Sequence, residues 1–382
     1  MAHGFDGHHR EEFHGGPKLA PNIAALPATV PFVGPEVIER NSGQKFMARL
    51  GANESPFGPS PKVIAAIAAA APTVWTYGDS ENHDLKHALA RHLGTPMDTI
   101  AIGEGIDGLL GLTCRLFLEA GDVVVTSLGA YPTFNYHVAA QSAELVTVPY
   151  DNDDRESLDG LLNSVRANSA KIVYLANPDN PMGTWWSAAD IEAFVDAIPS
   201  ETLIILDEAY GETAPGGTLP PITLMRPNLL RYRTFSKAYG LAGMRVGYAI
   251  GITETIAAFD RIRNHFGVTK LSQIAAGAAL ADQDYLASTI AAIAAGRDEI
   301  AGRARRLGLK PILSATNFVA IDCGGDSDYA MALLQSLQRR GVFIRKPAVA
   351  GLNRCIRVSV GTPQDITIAF AALEDSLKTT TG

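Results

Sequence analysis

Between residues 99 and 251 the apolar positions fall into seven short runs. They are "TIAIGEG" (99–105), "DVVVTSL" (122–128), "AELVTVPY" (143–150), "KIVYLANP" (171–178), "TLIILDEA" (202–209), "LLRYRTFS" (229–236) and "RVGYAIG" (245–251). Each is short, β-branched and bounded by turn-forming residues, as buried strands are. Most are separated by helical patterns such as "IDGLLGLTCRLFLEAG" and "SAADIEAFVDAI". This alternation predicts an α/β fold, with a mostly parallel seven-stranded sheet between helices.

Beyond about residue 252 the pattern changes. The Ala-rich stretch "QIAAGAALADQDYLASTIAAIAAGRDEIAGRARRLG" predicts long helices. The short strands "NFVAID", "GVFIRK" and "CIRVSV" and a last helix follow. The expected organisation is a large domain over 46–252 and a smaller C-terminal α/β domain over 253–382. Residues 1–45, rich in Pro, Gly and His, read as an N-terminal arm.

Composition narrows the function. A chain of 382 residues that is 47% hydrophobic buries a full core without staples. A net charge of −8 with no long basic run argues against nucleic acid or an anionic membrane as partner. Cys114, Cys323 and Cys355 are far apart and form no CxxC, which argues against disulfides and zinc and suits a cytoplasmic protein. The chain has no apolar run of about 18 residues and no apolar signal core, so no membrane span is expected. His3, His8, His9 and His14 read as part of a polar arm rather than a metal site.

Gly103-Glu104-Gly105-Ile106-Asp107-Gly108 fits GxGxxG after a strand and before a helix. The next strand ends in Thr126, Ser127 and Leu128, without the carboxylate that would hold a dinucleotide ribose. A nicotinamide cofactor is therefore disfavoured. The helix N-terminus at Gly105 and Ile106 still offers backbone N–H groups to a phosphate.

In open α/β sheets ligands bind outside the carboxyl ends of the strands. The sequence puts the Gly105 turn, Tyr131 of "GAYPTFNY" and Asn180 of "NPDNPMG" there. Asp207 and Tyr210 of "DEAY" and Thr234, Ser236 and Lys237 of "RTFSK" join them. Singly these are a turn cap, a packed aromatic or a solvated lysine. Together they make an anion cup, an aromatic plate, a carboxylate and a lysine, the set that pyridoxal 5'-phosphate needs. The lysine condenses with its aldehyde. The carboxylate keeps its ring nitrogen protonated, so that the ring draws electrons. Hydroxyls, amides and an arginine hold its phosphate, and an aromatic face stacks on the ring.

The blocks "LGANESPFGPSPKV", "TYGDSENHDLKHALA", "NPDNPMG", "DEAY", "RTFSKAYGLAGMRVGY", "NFVAI" and "CIRVSVGT" occur in family order. From about residue 50 to the C-terminus the chain resembles the fold-type I, class I/II aminotransferases, and within them the histidinol-phosphate aminotransferases. The resemblance implies that Lys237 bonds the cofactor and then moves the α-proton. Asp207 would pair with the ring nitrogen, and Asn180 and Tyr210 with the phenolic oxygen. Tyr131 would stack on the ring. Thr234, Ser236, Arg245 and the Gly105 and Ile106 backbone would hold the phosphate. Tyr77 would reach the phosphate in the neighbouring subunit of a homodimer. Arg357, Arg345 and Asn53 would bind substrate, and an amino donor and a 2-oxo acid would be the partners.

Three departures stand out. The family's "NPNNPTG" is "NPDNPMG" here, with Asp179 and Met182. The Gly-Ser-Asp phosphate turn is Gly105-Ile106-Asp107, one hydroxyl short. Where histidinol-phosphate enzymes often carry a phosphate-binding tyrosine, "VPFVGPE" places Phe32, which cannot hydrogen-bond a phosphate. An aromatic or neutral amino-acid aminotransferase is the alternative, and a decarboxylase of the same fold a further one. A non-catalytic relative would be expected to lack Lys237 or Asp207.

Overall fold

The computed structural model describes residues 16–26 and 32–380, apart from the side chain of Thr380. The arm histidines at 3, 8, 9 and 14 lie outside the described residues. In chain order the strands are β1 (Ala48–Arg49), β2 (Ile100–Gly103), β3 (Val123–Ser127), β4 (Glu144–Val148), β5 (Ile172–Ala176) and β6 (Leu203–Asp207). Then come β7 (Leu229–Thr234), β8 (Gly247–Ile250), β9 (Lys310–Pro311), β10 (Phe318–Asp322), β11 (Val342–Phe343) and β12 (Cys355–Ser359).

Each of the seven apolar runs forms a strand of one seven-stranded sheet, ordered β2-β8-β7-β6-β5-β3-β4. Neighbours from β7 to β4 pair in parallel, and β8 alone runs antiparallel to both its neighbours. β5 and β6 lie mid-sheet and every residue in them is buried, which is why their sequences run apolar without alternation. The parallel pairing lines up Ser127, Ala176, Asp207 and Thr234, the last residues of β3, β5, β6 and β7, along one edge.

Helices cover both faces. Gly105–Phe117 buries Leu109, Leu110 and Cys114 against Tyr174 and Tyr232 of the sheet. Ala188–Ala197 starts at a capping box between Ser187 and Asp190 and buries Ile191, Phe194 and Val195 on the other face.

The second body is built on the antiparallel sheet β12-β10-β9 and the short parallel pair β1-β11. Residues of Gln283–Arg306, Ser327–Arg339 and Pro363–Thr380 close its core, with Ile300, Leu333 and Phe370 buried together. The Ala-rich stretch forms two helices, Lys270–Leu280 and Gln283–Arg306. The first packs on Pro61–Ala70 and joins the core beside β2 and β8, while the second serves the small sheet. Ala48 and Leu50 likewise lie in the C-terminal core. Packing therefore crosses the chain division expected at 252. Within the segment expected as an arm, Pro35–Ser42 forms a helix, and its Glu39 accepts from Lys45 Nζ (2.9 Å), Arg49 Nη2 (2.7 Å) and Phe46 N (2.9 Å).

Among the described residues no helix is long and apolar enough to cross a membrane, and no group of His, Cys, Asp or Glu side chains could hold a metal ion. All three cysteines are buried and unpaired.

Candidate active site

The anion cup forms where β2 hands over to a helix. Gly105 opens Gly105–Phe117 in the left-handed region, at φ 76°. The guanidinium of Arg245, itself at φ 53°, lies against it: a β-carbon on Gly105 would stand 2.5 Å from Nη2. A β-carbon on Gly247 would come within 2.8 Å of Ile106 N. The bare glycines let backbone amides and a guanidinium converge. Thr234 and Ser236 are buried beside them; Thr234 Oγ1 donates to Ser236 Oγ (3.0 Å), and Arg245 Nη1 reaches that hydroxyl at 3.4 Å. With Ile106 in place of serine, the cup relies on these hydroxyls and on backbone N–H groups.

Lys237 follows the cup directly. Its Nζ donates to Asn53 O (3.2 Å) and stands 5.5 Å from the ring centre of Tyr210. Burial, then Arg357 and Arg245, pull its ammonium down to about 8. Desolvation contributes more than either arginine charge. At the end of β6, Asp207 accepts from Tyr174 Oη (2.7 Å) and Ala209 N (2.9 Å). Burial raises it to about 6 against those hydrogen bonds and the charge of Lys237.

Asn53 joins the two bodies. It sits at φ 55° and is only 3% exposed. Its Nδ2 donates to Tyr210 Oη (3.0 Å), its Oδ1 accepts from Ser359 Oγ (2.9 Å), and its carbonyl accepts from Asn317 Nδ2 (3.0 Å) as well as from Lys237. Its side chain is thus committed to Tyr210 and Ser359. The expectation had Asn53 meeting substrate; in this geometry it braces Tyr210.

Arg357, on β12, donates through Nη1 to Asn180 Oδ1, and its Nε is buried with no hydrogen-bond partner. Burial lowers it to about 10. Arg345 pairs with Arg357 through the backbone, but its guanidinium lies 4.4 Å from the ring centre of Phe32 and donates to Val33 O (3.2 Å). Tyr131 caps Pro132–Ala140 and packs, half-buried, on the core that holds Tyr174. Tyr77 stands apart: it is 78% exposed and touches Phe266, with ring centres 4.7 Å apart.

The class I and II aminotransferase model matches residues 46–373. The chain belongs to that family. A histidinol-phosphate aminotransferase from Anaeromyxobacter sp. is 36% identical over 94% of this chain and 98% of its own length. One from Geobacillus thermodenitrificans is 33% identical over 93% and 97%. The crystal structure of histidinol-phosphate aminotransferase from Sinorhizobium meliloti, in complex with pyridoxal-5'-phosphate, is 55% identical, with a TM-score of 0.93 over 96% of this chain and 99% of that one.

For a class I and II aminotransferase, this site holds several side chains that the linear reading missed. Tyr174 holds Asp207, and Ser359 and Asn317 hold Asn53. Tyr174 left a trace, as the one polar-tipped residue in the apolar run "IVYLA". Ser359 and Asn317 lie in the blocks "CIRVSVGT" and "NFVAI", but those blocks carry no sign of a partner 306 and 264 positions away.

Proposed function

We propose that this aminotransferase uses pyridoxal 5'-phosphate to move the amino group of histidinol phosphate to a 2-oxo acid, as a cytoplasmic homodimer. The observation that carries the reading is Lys237, which directly follows the Ser236 hydroxyl reached by Arg245 (3.4 Å) and whose Nζ stands 3.2 Å from Asn53 O and 5.5 Å from the Tyr210 ring centre. The residues fit the cofactor. The Gly105 and Ile106 amides, Thr234, Ser236 and Arg245 form a cradle that a β-carbon at Gly105 would fill. The 55% identity to the Sinorhizobium meliloti enzyme supports the same donor.

Bound there, pyridoxal phosphate supplies an aldehyde that takes up the substrate's amino group and a protonated ring that accepts the electrons of a broken Cα–H bond. Lys237 takes the proton from Cα and returns it, as base and then acid. An amine held near 8 keeps a useful free-base fraction at neutral pH. Asp207 would be the counter-charge for the ring nitrogen, since a cation beside a carboxyl favours its ionised form. Tyr210 and Asn180 would meet the cofactor's phenolic oxygen, and Tyr131 would cover its ring. Arg357, aided by Arg345, takes the anionic end of the substrate. Tyr77, too exposed to serve its own site, completes that of a second copy.

Phe32 over Arg345 favours a second reading, because an apolar face in that position suits an aromatic amino acid. A single-turnover absorbance experiment separates the two. Histidinol phosphate, but not phenylalanine, is expected to discharge the band of the lysine-bound cofactor. Discharge by phenylalanine alone would overturn the donor assignment. Release of carbon dioxide would point instead to decarboxylation.

A further inference from the structure

Two carboxyl groups outside the machinery above lie buried behind it. Asp179 heads the turn after β5, next to Asn180, and is 2% exposed. Its Oδ1 accepts from Tyr150 Oη (2.8 Å) and its Oδ2 from Met182 N (2.8 Å). Glu156 reaches the same turn from the loop before Leu158–Asn168 and is 1% exposed. Its Oε2 accepts from Ala176 N (3.0 Å). Its Oε1 is buried with only the Ser127 hydroxyl at hand, and neither atom forms a regular hydrogen bond.

Two carboxylates do not both ionise cheaply in such a place. The groups facing them are Tyr150, Tyr174, Asp207 and Arg357. Asp154, whose carbonyl receives Thr184 Oγ1 beside Asp179, is already paired with Arg354. The two tyrosines are pushed further from ionisation by burial. Arg357 is therefore the cation that faces Asp179, and Asn180, the next residue, holds that same guanidinium.

We infer that Asp179 is a positioning residue whose negative charge, set beside the Asn180 that holds Arg357, moderates the grip of Arg357 on an anionic substrate. The inference rests on the reading of Arg357 as the substrate's anion site. Burial raises Glu156 well above the usual range and brings Asp179 to about 7. Below that pH Asp179 is neutral, and Arg357 offers its full charge to an incoming anion. Above it the carboxylate offsets the guanidinium, and the anion is held less firmly. Arg357, at about 10, stays charged across this window.

An asparagine at 179 keeps both contacts by turning its amide: Oδ1 accepts from Met182 N and Nδ2 donates to Tyr150 Oη. Asp179→Asn therefore removes charge and little else. Glu156→Gln mimics the protonated acid and leaves Asp179 to titrate.

The test is inhibition of the holoenzyme by inorganic sulfate, which keeps its charge across the range, competing with the amino acceptor. In the wild type the inhibition constant is expected to rise about threefold or more between about pH 6 and pH 8, as a buried charge is switched on. Asp179→Asn should hold the low-pH value throughout, with kcat little changed, while Glu156→Gln should keep the wild-type rise. A rise unchanged in Asp179→Asn, or lost in Glu156→Gln instead, overturns the inference. So does a uniform weakening by Asp179→Asn at every pH, which is the mark of lost packing. Arg357→Gln separates the two levels. If sulfate binds that variant as well as the wild type, the reading of Arg357 fails and this inference falls with it. If binding weakens, the Asp179 comparison decides the inference alone.

Discussion

The guanidinium of Arg245 lies so close over Gly105 that no other residue type fits beneath it without displacing it. Gly105→Ala meets two obstacles, the 2.5 Å approach of Nη2 and a φ of 76°. The left-handed backbone costs an L-residue roughly 1–2 kcal/mol of stability, and a displaced Arg245 gives up its charge-assisted contact with the phosphate, so pyridoxal phosphate is expected to bind about tenfold more weakly or worse. Titration of the apoprotein followed by fluorescence checks this. Unchanged affinity would remove the Gly105 turn from the cup.

Covalent capture of pyridoxal phosphate by the apoprotein needs a neutral Lys237. The amine is neutral above its pKa, and that pKa is lowered to about 8. The capture rate should therefore climb about tenfold from pH 7 to pH 9 and then level off. Stopped-flow absorbance across this range is the measurement. A rate still climbing past pH 10 would mean that the lysine titrates like a solvated one. Lys237→Ala should show no borohydride-stable labelling at any pH.

Asn53→Ala strips Tyr210 of its hydrogen bond and leaves Ser359 without its acceptor. The variant is expected to lose about 2 kcal/mol of stability from the buried polar groups left unpaired, with a further cost for alanine at φ 55°. Thermal denaturation measures the loss, and kcat should fall with it because Tyr210 is no longer held. A full retention of kcat would separate Asn53 from catalysis.

Tyr77 supplies a test of the shared site. Mixed and refolded Tyr77→Phe and Lys237→Ala chains should recover part of the activity, because one of the two sites in the mixed dimer carries neither substitution. No recovery, with dimers present by sedimentation, would confine Tyr77 to its own subunit.

Much of this is legible in the sequence alone. The seven β-branched runs mark the sheet because strands buried on both faces have little choice of residue. The glycines and hydroxyls around Lys237 stand out because close backbone approach and phosphate binding are demanding locally. The reversed direction of β8 was not readable, since "RVGYAIG" is the same apolar run in either direction. Nor was the break at Ala281 and Asp282, in a stretch whose composition favours helix throughout. The contact of Arg345 with Phe32 and the meeting of Asp179 with Glu156 depend on which distant segments the packing brings together. A substitution such as Asp179 is visible in the sequence, but the charge that faces it is not.

Asn53 and Ser359 meet across 306 positions, and Lys237 lies between them in the chain. A growing polypeptide therefore has no braced Tyr210 and no Arg357 wall until almost all of it has been synthesised. The cup and Lys237 are thus made before the wall that carries Arg357, so the substrate end of the site is the last part of the enzyme to be completed.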